Sequence, residues 1–286
     1  DNAEVWAAIV AGTRDYVRKN AFTSVVLGLS GGIDSALVAT IARDALGADA
    51  VHVVAMPSSY SSQHSVGDAE ELANRQRLHY SNIPIAELVG SFHDALKEFG
   101  GVTGLSAENL QARVRGMLLM TLSNQHGHLV LTTGNKSELA TGFSTLYGDS
   151  AGGFAPIKDV PKTLAFELAR WRNAVATAAG ETPPIPENTI AKPPSAELAP
   201  GQLDADRLPP YDVLDAILDD YVERDLGRDD LIAKGHDAAV VDKVLRLVDI
   251  AEYKRRQYPP GPKISPKNFG RDRRLPITNR FREGPG

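Results

Sequence analysis

Between Ser24 and Gly47 the chain reads SVVLGLSGGIDSALVATIARDALG, an order of residues that leaves few architectures open. The β-branched and apolar run predicts a strand. Gly31 and Gly32 predict a tight turn, and the apolar spacing beyond it predicts a helix from Ala36 to about Leu46, its start near Asp34. A glycine-rich turn between strand and helix makes an anion cradle. Its backbone N–H groups turn inward with no Cβ in the way, Ser30 and Ser35 add hydroxyls, and the helix points its positive end at the same place. The phosphate-loop pattern G-x-x-x-x-G-K-[ST] is absent, and Asp34 stands where its lysine is expected. A carboxylate there repels bare phosphate. It makes sense with Mg²⁺ in between, since Mg²⁺ binds through one or two carboxylates plus phosphate oxygens. The plain alternative is a turn followed by a helix-start aspartate.

The same rhythm continues. AVHVVAMP predicts a second strand, SVGDAEELANRQRL a helix, HYSNIPIA a weak strand, SAENLQARVRGMLLMTLSNQ a strong helix and HLVLTTG another clear strand. Such alternation predicts an α/β fold, a Rossmann-like, mostly parallel sheet flanked by helices. Ligands in these sheets sit beyond the carboxyl ends of the strands, so the loops after Leu29, Met56 and Thr132 should share one site. After Gly148 comes loop, then the helix TLAFELARWRNAVATAAG. The Pro-rich ETPPIPENTIAKPPSAELAPG is expected to be irregular, with a surface connector as its bland reading. Helical segments around YDVLDAILDDYVERD and DAAVVDKVLRLVDIAEYKRRQ and a basic tail, PKISPKNFGRDRRLPITNR, follow. No internal repeat or low-complexity tract is seen.

Composition excludes several classes. With 286 residues and 42% hydrophobic content, the chain can bury a large core. No run approaches the ~18 apolar residues of a membrane span, and the N-terminal stretch reads as an amphipathic helix rather than a signal peptide. There is no cysteine, hence no disulfide, thiolate metal site or cysteine nucleophile, which suits the cytoplasm. A net charge of −5 argues against a nucleic-acid partner. The start at Asp1 rather than methionine is what a processed product, or a piece of something longer, would have.

SGGIDS after a hydrophobic strand resembles the signature of the ATP pyrophosphatase (PP-loop) superfamily, the adenine nucleotide alpha hydrolase-like fold, whose members cleave ATP between the α and β phosphates. Within it NLQARVRG, TTGNKSELATGFSTLYGDSAGGFAPIKDVPKT, KPPSAEL and EYKRRQYPPG together resemble NAD synthetase, from about Glu4 to the C-terminus. GNKSE and FGRDRRLPITNRF look more like the synthetase domain of the glutamine-dependent enzymes than the short ammonia-dependent type. Those longer enzymes also carry a nitrilase-like glutaminase domain with a catalytic cysteine. The resemblance implies a synthetase domain over 1–286, with a nucleotide-binding core over 1–165 and a helical and loop extension over 166–286. It implies ATP-dependent amidation of deamido-NAD to NAD through an acyl-adenylate, releasing AMP and pyrophosphate. Ammonia would be the nitrogen donor, with Mg²⁺ as cofactor and a homodimer or higher homo-oligomer as the assembly.

By the same resemblance Gly28, Leu29, Ser30, Gly31, Gly32, Ile33, Asp34 and Ser35 grip the ATP phosphates. Thr133 and Ser195 contact adenosine, and Lys162 meets the phosphates. Asp34 and Glu138 hold the metal. Asn109 and Arg113, four apart on one helix face, hold deamido-NAD together with Glu138, Phe143, Ser144, Thr145, Leu146 and Lys254. Leu146 stands where the ammonia-dependent type usually has lysine. Arg115 is expected on another face with a structural role. A solvated helix-start glutamate at 138 and a surface lysine after a proline at 162 are the bland alternatives. His126 and His128 lack metal-ligand spacing, and Asp219, Asp220, Asp229 and Asp230 read as solvated. The basic tail suits a subunit contact or substrate lid. Rival readings are another PP-loop amidotransferase such as a GMP synthetase, a tRNA-modifying enzyme and a non-catalytic nucleotide-binding module.

Overall fold

The computed structural model describes residues 1–199 and 201–278; Pro200 and the end of the basic tail, including Phe281, lie outside the described residues. Helix α1 (Asn2–Lys19) leads into β1 (Val25–Gly28), α2 (Ile33–Leu46), β2 (Val51–Ala55), α3 (Gln63–Gln76) and β3 (His79–Asn82). Then come α4 (Ala86–Ala95), α5 (Leu105–His126), β4 (Leu129–Val130), α6 (Lys136–Thr141), α7 (Lys162–Ala178) and α8 (Glu187–Ala191). The last helices among the described residues are α9 (Tyr211–Leu218), α10 (Arg228–Ala233), α11 (Ala238–Ile250) and α12 (Glu252–Arg255).

Among the described residues the sheet has four strands, all parallel, in the order β3-β2-β1-β4. The chain first winds outward from β1 to β3, then returns to place β4 on the other side of β1. That reversal opens a crevice beyond the carboxyl ends of β1 and β4, where ligands of such sheets bind. Side-chain alternation sorts the strands onto two faces. Val25, Leu27 and Val53 pack with α1, α2 and α7 through Trp6, Leu37, Ile41 and Leu168. Val26, Val54 and Val130 pack with Ile85, Val114 and Leu119 on the α4–α5 side. Helix α2 is buried along most of its length, from Ser35 to Ala42, because α1, α7 and the sheet enclose it. Arg172 of α7 grips Asp44 of α2 with two hydrogen bonds of 2.7 and 3.1 Å, and the Trp6 indole donates to the same carboxylate at 3.1 Å. One partly buried ion pair thus locks the three helices.

A second apolar cluster holds the C-terminal helices together. Leu214, Ile217, Val222, Leu231, Val241, Val244 and Val248 pack around Leu139 and Ala140 of α6. Helix α6 therefore bridges the sheet loops and the helical extension. Helix α7, which begins before the expected boundary at 165 and runs past it, packs on the sheet layer.

Several elements differ from the sequence expectation. The Pro-rich segment is not wholly irregular: α8 forms inside it, with Pro186 setting an extended entry and Thr189 and Ile190 buried. It walls a cleft rather than merely connecting. The strand expected over HLVLTTG shortens to two residues: the Leu131 N–H still donates to the Val26 carbonyl at 2.9 Å, but the next N–H, of Thr132, goes to the Phe154 carbonyl at 2.9 Å. Helix α4 carried no expectation; α9 gives way to a π-turn over Asp219–Glu223. Asp220 is buried and binds Lys234 at 2.6 Å, so it is not solvated as expected. Among the described residues no helix is long and apolar enough to cross a membrane.

Candidate active site

Gly31 shows why the turn after β1 needs glycine. Its φ is +79°, and a Cβ there would lie 2.2 Å from the Ser65 carbonyl oxygen. Ser30 and Ser35 tie the turn internally: the Ser30 N–H donates to Ser35 Oγ at 3.2 Å, and the Ser35 hydroxyl donates to the Gly32 carbonyl at 3.0 Å. No side chain caps the start of α2, so the first amides of a 14-residue helix stay open towards the crevice. The crevice is a cavity of about 280 Å³, walled by the turn, the ends of β2 and β4, α5, α6 and the segment around Pro194.

Three charged side chains meet at the end of the cavity beside the turn. Lys162, the first residue of α7, places Nζ 2.5 Å from Asp34 Oδ2 and 3.8 Å from Glu138 Oε1. Burial works against the ammonium, yet Asp34 and Glu138 outweigh it and raise its pKa. Glu138 is pushed well above the usual carboxylate range by burial and by Asp34, against the pull of Lys162. Its Oε2 accepts from the Asn135 N–H at 3.2 Å while Asn135 Oδ1 accepts from the Glu138 N–H at 3.0 Å, a capping box that fixes α6. Asp34 Oδ1 is buried without a hydrogen-bond donor, an oxygen with the capacity to accept from a further group.

Of the residues singled out from the sequence, Gly28, Leu29, Ser30, Gly32, Ile33, Asp34, Ser35, Thr133, Glu138, Phe143, Lys162 and Ser195 line this cavity. Gly31 backs the turn from behind. The expected dinucleotide set is not gathered in the same way. Arg113 is exposed, and its Nε donates to the Leu146 carbonyl at 3.2 Å. The Thr145 hydroxyl donates to Asn109 Oδ1 at 2.8 Å, and Lys254 Nζ donates to the carbonyls of Gly142 and Ser144 at 2.7 and 2.6 Å. Asn109, Arg113, Ser144, Thr145, Leu146 and Lys254 thus form the frame of the 142–146 loop, outside the cavity wall. Arg115, expected to be structural, does line the cavity. Its Nε donates to the Met56 carbonyl at 2.9 Å, and burial pulls its pKa down to about 10 against the charges of Glu197 and Asp149.

Other residues of the site carried no expectation. Asp149 lines the cavity and is open to water there, yet the protein mass around it pushes its pKa up to about 6, against amides that include Thr145 N–H at 2.6 Å. Asp204 also lines it and accepts from Tyr211 Oη at 2.7 Å; burial raises its pKa. Tyr258 backs the glycine at 134, where a Cβ would sit 1.7 Å from the phenol oxygen. Glu197 joins the Pro-rich wall to α3, accepting from the hydroxyls of Ser62 and Ser65 at 3.1 and 2.8 Å. GDSAGG could have flagged Asp149, since an aspartate among small residues after a site loop has little to pack against. Nothing local marks Asp204 or Tyr258.

The family model described as NAD synthase matches residues 5–258. The chain is 56% identical over 282 residues to the glutamine-dependent NAD(+) synthetase of Acinetobacter baylyi, which covers 98% of this chain and 51% of that protein. It is similar to the solved structure of glutamine-dependent NAD+ synthetase from Acinetobacter baumannii in complex with ADP. There the TM-score is 0.65 at 51% identity, over 99% of this chain and 51% of that one. It is also similar to the NH3-dependent NAD synthetase from Campylobacter jejuni in complex with the nitrate ion. That match has a TM-score of 0.70 at 29% identity, over 87% of this chain and 93% of that one. The chain spans about half the length of the glutamine-dependent relatives it matches.

Proposed function

The chain belongs to the NAD synthase family, and from that premise we propose that it amidates deamido-NAD to NAD at the expense of ATP. The observation that carries the reading is the meeting of Asp34, Glu138 and Lys162 beyond β1 and β4, beside the open amide end of α2. In the first step a nicotinate carboxylate oxygen bonds to the α-phosphorus of ATP, and the bond to the β-phosphate oxygen breaks. The amides of the turn and of α2 would take up phosphate charge, and Lys162 would meet the departing pyrophosphate. In the second step ammonia adds to the acyl carbonyl and AMP leaves, carrying the former carboxylate oxygen. Asp149, with a pKa of about 6, is mostly ionised at neutral pH and open to the cleft, so it would accept the proton that nitrogen sheds. No protein nucleophile is required, in keeping with a chain without cysteine.

Asp34 and Glu138 would hold Mg²⁺, and their fit rests on the donor-free Asp34 Oδ1 and on two carboxylates whose mutual repulsion a cation relieves. When bound, the ion would supply charge neutralisation on the phosphates. Gly28 to Ser35 would grip the phosphates, with Thr133 and Ser195 at the adenosine. Arg113, Asn109 and Lys254 would act on deamido-NAD through the 142–146 loop, whose Phe143 faces the cavity. A homo-oligomer fits the exposed apolar row of Leu88, Phe92, Leu96 and Phe99. A glutaminase partner fits the longer, glutamine-dependent relatives, and the substrates suit a cytoplasmic setting.

The reaction order is testable with deamido-NAD labelled with heavy oxygen in its carboxylate. One label should appear in AMP for each NAD formed. Label confined to water or to pyrophosphate would rule out the acyl-adenylate.

A further inference from the structure

Helix α7 begins at Lys162 directly after Pro161, and proline offers the first amides of the helix no side-chain acceptor. A helix of 17 residues opens with N–H groups that need partners from elsewhere. Here they come from α9 and α6. The Thr163 N–H and the Thr163 hydroxyl both donate to Asp215 Oδ2 at 2.8 Å. The Lys162 N–H donates to Ser137 Oγ at 2.9 Å, and the Ser137 hydroxyl donates in turn to Asp215 Oδ1. Asp215 lies on α9, is 8% exposed, and has no cationic side chain in salt-bridge range among the described residues. Its charge is met by an amide, two hydroxyls and the positive end of α7.

We infer that Asp215 is a positioning residue, a helix cap supplied from outside α7 that sets Lys162 and Glu138 at the same time. The inference rests on the reading of Lys162 and Glu138 as the groups that face ATP and its metal. Ser137 is the neighbour of Glu138, so the carboxylate that orients its hydroxyl also fixes the register of α6. The same carboxylate holds the first turn of α7, from which the Lys162 ammonium reaches Asp34 at 2.5 Å. A purely accepting group is required, because every partner is a donor. An asparagine amide would turn N–H toward either the Ser137 hydroxyl or the Thr163 amide and break one side of the bridge.

The test compares Asp215→Asn with Asp220→Asn. Asp220 is another buried aspartate of the extension; its partners are Lys234, Arg224 and His236, none of which lies on α6 or α7. Each protein, as the full chain, is assayed for melting temperature, for the dissociation constant of Mg²⁺·ATP by calorimetry, and for kcat and KM in amidation. Asp215→Asn should weaken Mg²⁺·ATP binding and lower kcat by about tenfold each, at temperatures where the variant is fully folded. Asp220→Asn should lower the melting temperature and move neither. Thr163→Val, which loses one of the two bonds to Oδ2, should fall between wild type and Asp215→Asn. The inference is overturned if Asp215→Asn binds Mg²⁺·ATP like wild type, or if both aspartate variants lose affinity equally. A wild-type chain that binds Mg²⁺·ATP but makes no NAD would instead defeat the functional reading, and the binding comparison would still decide the role of Asp215.

Discussion

Asp34 presents one carboxylate oxygen to Lys162 and leaves the other buried with no donor. That division of one side chain between an ammonium and an unpartnered oxygen is what supports the proposed metal role of Asp34. Asp34→Asn and Glu138→Gln should each lower kcat by about two orders of magnitude or more, as expected when a metal clamp on a transferring phosphoryl group weakens. Near-normal turnover at saturating Mg²⁺ would remove the metal role from the residue concerned. Asp149 yields a pH prediction. Its folded pKa is raised to about 6, so its base form accumulates as pH rises through that value. With free ammonia held constant across the series, kcat should climb over an acidic limb near pH 6, and Asp149→Asn should lose that limb. Asp34 was singled out from the local chemistry of its turn, and Glu138 and Lys162 from stretches that resemble the family's; the structure brings the three side chains together. Asp204 and Asp215 were not singled out, since their roles arise where distant segments pack, 52 residues apart for Asp215 and Thr163; Asp149 was passed over although its local stretch GDSAGG carries a signal. Arg115 keeps the structural contact expected of it, to the Met56 carbonyl, and lines the cavity as well: helical spacing gives a face, but the wall that face meets is set by the end of β2.

The turn between β1 and α2 and the row of histidines at the opposite end of the sheet show how elements carry separate duties. Gly31→Ala combines a left-handed backbone with a Cβ 2.2 Å from the Ser65 carbonyl. It should cost at least about 1–2 kcal/mol and weaken ATP binding as the turn moves away from α3; an unchanged melting temperature would contradict this. At the far end His52 stacks between His79 at 4.6 Å and His128 at 4.1 Å. His126 lies 5.6 Å beyond His128, and the Ser24 hydroxyl is 2.7 Å from His128 Nδ1. Burial, and then the neighbouring imidazoles, lower the pKa of His52 and His128 below the ordinary 6.5. The unfolded chain therefore takes up these protons first, so stability is fully present above about pH 6.5 and declines as pH falls towards the folded values. The melting temperature should drop between about pH 7 and pH 5, and His52→Gln should flatten the drop; an equal slope in the variant would exclude the histidine row as its source. Helices α2 and α7 could be read from apolar periodicity, and α5 from its long run of helix-forming residues. Helix α8 could not, because its prolines signal irregularity and only tertiary burial of Thr189 and Ile190 holds it. β4 ended early because a competing pairing with Phe154 is invisible in a local pattern.

At the scale of the molecule, a parallel sheet in the order β3-β2-β1-β4 puts the Gly-rich turn and the GNKSE loop side by side at its crevice. The helical extension grips that loop from behind. Lys136 binds Asp159 at 2.8 Å together with Glu223, and donates to Ser265 Oγ at 2.6 Å and to the Lys267 carbonyl at 2.9 Å. The extension thus serves the site through α6 and α7, although most of its residues never reach the cavity. The fold class was legible from the alternation of strands and helices. The way the apolar cluster of the extension closes around α6 was not, because six residues, Lys136–Thr141, leave no periodicity to read. Activation by ATP and capture of ammonia together make the central claim. Its most direct measurement follows NAD, AMP and pyrophosphate from ATP, Mg²⁺ and deamido-NAD with no nitrogen donor, with glutamine and with ammonium. The account predicts NAD, AMP and pyrophosphate in equal amounts with ammonium, little turnover without a donor, and no NAD from glutamine, since the chain has no cysteine to release ammonia from it. Robust NAD formation from glutamine by this chain alone, or ADP in place of AMP, would contradict it.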